Sequence, residues 1–142
     1  MFVKKFLSRN VEETMAIAAQ LCPLWGPGTV VKLEGDLGAG KTTFVRGVLR
    51  HLGYQEAVKS PTFSLLCVYD TNPPVAHLDL YRLRSYEGVG LEDLLDTHVC
   101  LIEWPDRAVG LVLDPAQQWT IKMQGEDSFR EIIVETVGTE LD

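Results

Sequence analysis

The stretch TVVKLEGDLGAGKTTFVRGVLRHLG, residues 29–53, changes character twice. Residues 29–34 are short, β-branched and largely apolar, the pattern of a central parallel strand covered on both faces by helices. Residues 41–52 carry Phe44, Val45, Val48, Leu49 and Leu52 at helical spacing, and Gly53 stands where a helix takes a left-handed terminator. Between strand and helix lie three glycines and a lysine within residues 35–43.

Gly35, Gly40, Lys41 and Thr42 fit the spacing G-x-x-x-x-G-K-[ST], in the strand–loop–helix context that this phosphate-binding pattern requires. Gly35, Gly38 and Gly40 lack a Cβ, so successive backbone N–H groups can turn inward and form a cup for an anion. The helix starting near Lys41 adds its unsatisfied N–H groups and the positive end of its dipole. Lys41 is expected to reach the β and γ phosphates, and the Thr42 hydroxyl to hold Mg²⁺. Asp36 and Ala39 are read as spacers contributing backbone. The loop alone leaves open ATP or GTP, and hydrolysis or transfer. The absence of an N-K-x-D guanine-reading pattern favours ATP.

A magnesium nucleotide needs further oxygen ligands and a group to orient the attacking water. Asp79, late in VAHLDL, and Glu103, at the end of CLIE, both follow apolar strand-like runs, and the ends of parallel strands are where open α/β sheets bind ligands. Either could instead cap a loop. Thr62, in SPTF, sits where a switch-like threonine could approach Mg²⁺, or where it simply forms a turn.

The remaining pattern is that of one α/β domain over residues 1–142, with a mostly parallel central sheet flanked by helices and a C-terminal antiparallel hairpin. Residues 2–7 read as a strand. Residues 10–22 read as a helix with Asn10 as its cap and Glu13 in the capping-box position. Residues 65–70 and 75–83 read as strands joined by TNPP, residues 86–96 contain a short helix, and residues 98–104 return to strand. Helix is expected again from Pro105, and residues 118–123 and 129–135 form the hairpin.

Composition limits the function classes. With 142 residues and a net charge of −7, the chain has no broad basic surface for gripping nucleic acid. No apolar run approaches the roughly 20 residues that span a bilayer, so a cytoplasmic protein is expected. Cys22, Cys67 and Cys100 lack metal or redox spacing and read as buried thiols. His51 suits the end of its helix, and His77 and His98, in strand patterns without ligand-spaced companions, read as structural. Trp25 and Trp119 read as packing residues.

GDLGAGKTT, SPTF, HLDLYRL and LIEWPDR, in this order, resemble the bacterial tRNA threonylcarbamoyladenosine biosynthesis ATPase family, TsaE. The resemblance runs from VEETMAIAAQL to FREIIVE and implies a small P-loop ATPase that uses ATP and Mg²⁺. It implies work with the TsaB and TsaD proteins on adenosine 37 of tRNA, where hydrolysis resets the complex between turnovers. The tRNA would be held mainly by those partners, and the free protein would be a monomer. Carried onto these residues, nucleotide binding falls to Gly35, Asp36, Leu37, Gly38, Ala39, Gly40, Lys41, Thr42 and Thr43. Glu103 becomes a second Mg²⁺ or water-positioning ligand and Asp79 a Walker B-like aspartate. Thr62 takes the switch position, and Trp104 shapes the site. Thr14 and Arg130 fall where similar proteins approach the nucleotide.

Two other readings compete. Arg82, Arg84 and Arg107 could clamp a transferring phosphoryl group in a small-molecule kinase. Alternatively, the loop could serve a nucleotide-gated binding module with negligible turnover, since no arginine finger is evident in the chain.

Overall fold

The computed structural model describes residues 1–35, 40–56, 66–79, 93–103, 118–126 and 129–137. Seven strands form one sheet: β1 Phe2–Ser8, β2 Val30–Glu34, β3 Leu66–Tyr69, β4 Val75–Asp79, β5 Val99–Glu103, β6 Gln118–Glu126 and β7 Phe129–Thr136. The helices are α1 Val11–Leu21, followed by a short 3-10 turn at Cys22–Leu24, and α2 Lys41–His51. The sheet order is β1-β7-β6-β2-β5-β4-β3. Its four central strands, β6, β2, β5 and β4, run parallel, whereas β7, β1 and β3 join antiparallel at the two sides.

The expected mixed α/β fold is therefore present, with the parallel part at the centre and the hairpin formed by β6 and β7. The N-terminal strand pairs with the far end of the chain, Phe2 opposite Thr136 and Ser8 opposite Arg130. Nothing local in residues 2–8 encodes that partner.

Alternate residues of the strands build one core. Val31 and Leu33, Val99 and Leu101, Trp119, Ile121 and Met123, and Ile132 and Val134 share a cluster with Ile17, Ala18 and Leu21 of α1 and Phe44, Val45, Val48 and Leu49 of α2. Both described helices thus lie on the same face of the sheet. The opposite face is also covered at the centre: Val30, Ala76, Leu78, Cys100 and Ile102 are buried. A run apolar on both faces reports burial, but not what provides it.

Helix α1 starts where the sequence indicates. Asn10 Oδ1 accepts from Glu13 N–H at 2.8 Å, a cap worth about 1 kcal/mol. The Glu13 carboxylate accepts from Arg9 N–H at 2.7 Å, one residue before the capping-box partner. Gly47 sets how close α1 and α2 come, since a Cβ there would lie 2.8 Å from Met15 Cα and 2.9 Å from Ala18 Cβ. At the end of α2, Gly53 takes φ 90° and Tyr54 N–H bonds back to Leu49 C=O at 2.9 Å.

The β3–β4 turn holds the expected TNPP segment, where Thr71 Oγ1 donates to Pro73 C=O at 2.8 Å. Of the helix expected within residues 86–96, only the end is described, and residues 94–97 form turn. The helix expected after Pro105 lies outside the described residues. Among the described residues no helix is long and apolar enough to cross a membrane.

Candidate nucleotide site at the edge of the parallel strands

Strand β2 and helix α2 bracket the glycine-rich loop. Asp36, Leu37, Gly38 and Ala39 lie outside the described residues, while both ends of the loop are fixed. Gly40 is the N-cap of α2 with φ 104° and ψ 14°, a left-handed conformation that a side chain disfavours. From the first turn of α2, Lys41 reaches back across the loop, and its Nζ donates to Gly35 C=O at 2.8 Å. The lysine is only 7% exposed, so its charge stays at the loop mouth. No acidic residue occupies the first turn of α2, which leaves the positive end of the helix dipole for an anion. Thr42 and Thr43 follow on the same turn, both partly exposed.

The register of the sheet arranges the other residues along the same edge. In the parallel ladder Leu33 of β2 pairs with Glu103 of β5, and Glu103 pairs with Asp79 of β4. The two carboxylates end neighbouring strands, on the face that carries α2, and both are buried, at 6% and 7% exposure. Side-by-side buried acids are costly unless positive charge is brought to them, and a hard cation with oxygen ligands meets that need. Among the described residues no group of three His, Cys, Asp or Glu is arranged to hold a metal by itself. Magnesium does not need such a cage, because it keeps waters and takes phosphate oxygens beside one or two carboxylates. The donor set of Thr42, Asp79 and Glu103 therefore fits Mg²⁺.

On the other side of the loop the edge opens into a cleft of about 300 Å³, lined by Ser8, Arg9, Thr14, Gly40, Thr43, Phe129 and Arg130 among others. Thr14 and Arg130, distant in sequence, are thus brought to one cavity with the start of α2. The Thr14 hydroxyl is held by Ser8 Oγ at 2.6 Å, and Ser8 Oγ donates in turn to Asn10 C=O at 2.9 Å. Arg9 and Arg130 line the cleft, and Phe129, 42% exposed, gives it an aromatic wall. Neither Ser8 nor Phe129 carries a motif. Only the pairing of β1 with β7, which sets Ser8 against Arg130, assembles this wall.

His77, read from the sequence as structural, sits next to the acids. It lies two positions before Asp79 on the same face of β4, is wholly buried, and places Nε2 3.4 Å from Glu103 Oε2. That approach lacks hydrogen-bond alignment, and neither ring nitrogen has a hydrogen-bond partner among the described residues. A buried polar group left so costs about 1–3 kcal/mol. The two-residue period from His77 to Asp79 was the signal available in the sequence. His98, by contrast, lies just before β5 with Nδ1 2.7 Å from Thr97 Oγ1, and His51 is exposed at the end of α2.

Several candidates fall outside the described residues: Thr62, Trp104, and the arginines Arg82, Arg84 and Arg107. Cys22 and Cys100 are buried, and burial raises their thiols to about 11 and about 12. Cys67 on β3 is only partly covered. Trp25 packs edge-on against Trp119, ring centres 5.8 Å apart, beneath α2, as packing residues should.

Comparison with known proteins follows the same lines. Residues 8–132 match the family described as threonylcarbamoyl adenosine biosynthesis protein TsaE. The Bacillus subtilis (strain 168) tRNA threonylcarbamoyladenosine biosynthesis protein TsaE is 40% identical over 137 residues, covering 94% of this chain and 86% of that protein. The Treponema pallidum (strain Nichols) protein of the same name is 39% identical over 133 residues, covering 90% of this chain and 97% of its own length. A crystal structure of Bacillus subtilis YdiB superposes with a TM-score of 0.73 at 37% identity, covering 96% of this chain and 86% of that one.

Proposed function

Because the chain belongs to the TsaE family of threonylcarbamoyladenosine biosynthesis proteins, we propose that it is a Mg²⁺-dependent ATPase of that pathway. In this reading residues 1–142 form one cytoplasmic P-loop domain, monomeric when free, that hydrolyses ATP slowly alone and faster in complex with TsaB and TsaD. Hydrolysis resets that complex between rounds of modification at adenosine 37 of tRNA. The net charge of −7 suits a protein that meets other proteins and leaves the tRNA to them.

The observation that carries the proposal is the alignment of three features along one sheet edge: the cleft lined by Arg9, Thr14 and Arg130, the loop clasped by Lys41, and the paired acids Glu103 and Asp79. A nucleotide laid along that edge puts its base and ribose in the cleft beside Thr14 and Arg130. Its phosphates then sit at the start of α2, with its terminal phosphate towards the carboxylates. Lys41 exchanges the Gly35 carbonyl for phosphate oxygens, and the backbone N–H groups of residues 35–43 complete the cup. Thr42, Glu103 and Asp79 would hold Mg²⁺, which when bound would neutralise charge on the phosphates. Glu103 also accepts a hydrogen bond from the attacking water and so orients it. Thr62 and Trp104 are assigned to the switch position and to the wall of the site.

The test is ATP turnover and tRNA modification by the wild type and by Glu103→Ala, with and without the two partner proteins. Partner-stimulated turnover that disappears in the variant while ATP still binds supports the proposal. Equal turnover by both proteins contradicts it.

A further inference from the structure

The alternation of β4 sends Val75, His77 and Asp79 to the face that carries α2, and the parallel ladder sets His77 beside Leu101 and Asp79 beside Glu103. Here a leucine or valine would fill the space, yet the position holds an imidazole with 0% exposure and no hydrogen-bond partner for either nitrogen among the described residues. Buried polar atoms are rarely left so, and those that are call for a reason. One group of the site lies close to the ring: Nε2 stands 3.4 Å from Glu103 Oε2, without the alignment of a hydrogen bond.

We infer that His77 is the positioning residue of Glu103, its Nε2–H holding one carboxylate oxygen so that the other is presented to the cation and the attacking water. The carboxylate only accepts, so the hydrogen of this contact belongs on Nε2. At 3.4 Å the pair lies just beyond the ordinary N–H···O range, so the bond requires the two side chains to close by a few tenths of an ångström and align. Loss of a partner that orients a ligand in this way typically costs about 10–100-fold in metal affinity. The inference rests on the reading of Glu103 as part of the magnesium nucleotide site.

ATP binding to the full chain, measured by calorimetry with and without Mg²⁺, tests it on three variants. In His77→Gln the amide nitrogen extends as far as Nε2, in His77→Asn it reaches only the Nδ1 position, and His77→Leu keeps buried volume without any donor. The gain in ATP affinity on adding Mg²⁺ is expected to fall about 10–100-fold in the Asn and Leu variants. Metal-free ATP binding should stay at the wild-type level, and the Gln variant should recover most of the loss. Mn²⁺ binding to the ATP complex, read by electron paramagnetic resonance, should rank the variants identically. His77→Leu keeps the test available should His77→Asn fail to fold.

A wild-type Mg²⁺ gain in the folded Leu or Asn variants overturns the positioning role. So does a Gln variant that melts like the wild type but loses as much as Leu. Failure of the wild type to bind ATP, or unchanged binding by Lys41→Ala, overturns the nucleotide reading itself and this inference with it.

Discussion

Asp79 and Glu103 are direct partners on the parallel strands β4 and β5, both buried and both at strand ends. Neighbouring strands run about 4.8 Å apart, so the two acids share one small volume at the sheet edge. Their proximity follows from register, and it sets the pair beside the glycine-rich loop one strand away, where Leu33 of β2 pairs with Glu103.

Lys41→Ala removes the charge that closes the loop on Gly35. A hydrogen bond from a charged group contributes about 1.5–3 kcal/mol, so ATP affinity should fall roughly tenfold or more. Calorimetric titration checks this, and circular dichroism should show the fold retained.

Glu103→Ala separates binding from chemistry. Loss of a positioned group of this kind costs on the order of 100-fold in turnover. Metal-free ATP binding through the loop and the cleft should be kept, while the gain on adding Mg²⁺ falls as it does in His77→Asn and His77→Leu. Single-turnover measurements in the presence of the partner proteins distinguish this from a binding defect.

Gly47→Ala forces a methyl group against Met15 Cα and Ala18 Cβ at the α1–α2 contact. Overpacking of this kind costs about 1–3 kcal/mol, so thermal unfolding should move down by several degrees. Because α2 carries Lys41 and Thr42 at its start, ATP affinity should weaken together with stability.

Burial raises the Cys22 thiol to about 11 and the Cys100 thiol to about 12. These groups remain protonated in the folded chain at pH values where the unfolded chain ionises. Their contribution to stability is thus complete below about pH 9, the ordinary thiol range, and lost as pH rises towards 11 and 12. Denaturant midpoints should drop on raising the pH through this window. At neutral pH native-state alkylation should label Cys67 well before Cys22 or Cys100.

Local features were legible in the sequence. The left-handed Gly40 and Gly53, the Asn10 cap, the strand–loop–helix unit and the β6–β7 hairpin each depend on residues close in the chain. What was not legible depends on distant pairing. No pattern in residues 2–8 names β7 as partner, so the cleft wall of Ser8, Phe129 and Arg130 emerges only in three dimensions. Thr14 and Arg130 were placed near the nucleotide by resemblance, and chemistry alone would not have selected either. His77 looked like a strand residue without companions because its companion, Glu103, lies 26 positions away on another strand.

A crystal structure of the chain with a non-hydrolysable ATP analogue and Mg²⁺ tests the central claim most directly. The expected result has the triphosphate at the start of α2 with Lys41 on its outer phosphates. The cation should lie between Thr42 and the Asp79–Glu103 pair, and the base in the cleft beside Thr14 and Arg130. Nucleotide bound elsewhere, with Lys41 still on Gly35 and no cation at the paired acids, would contradict the account.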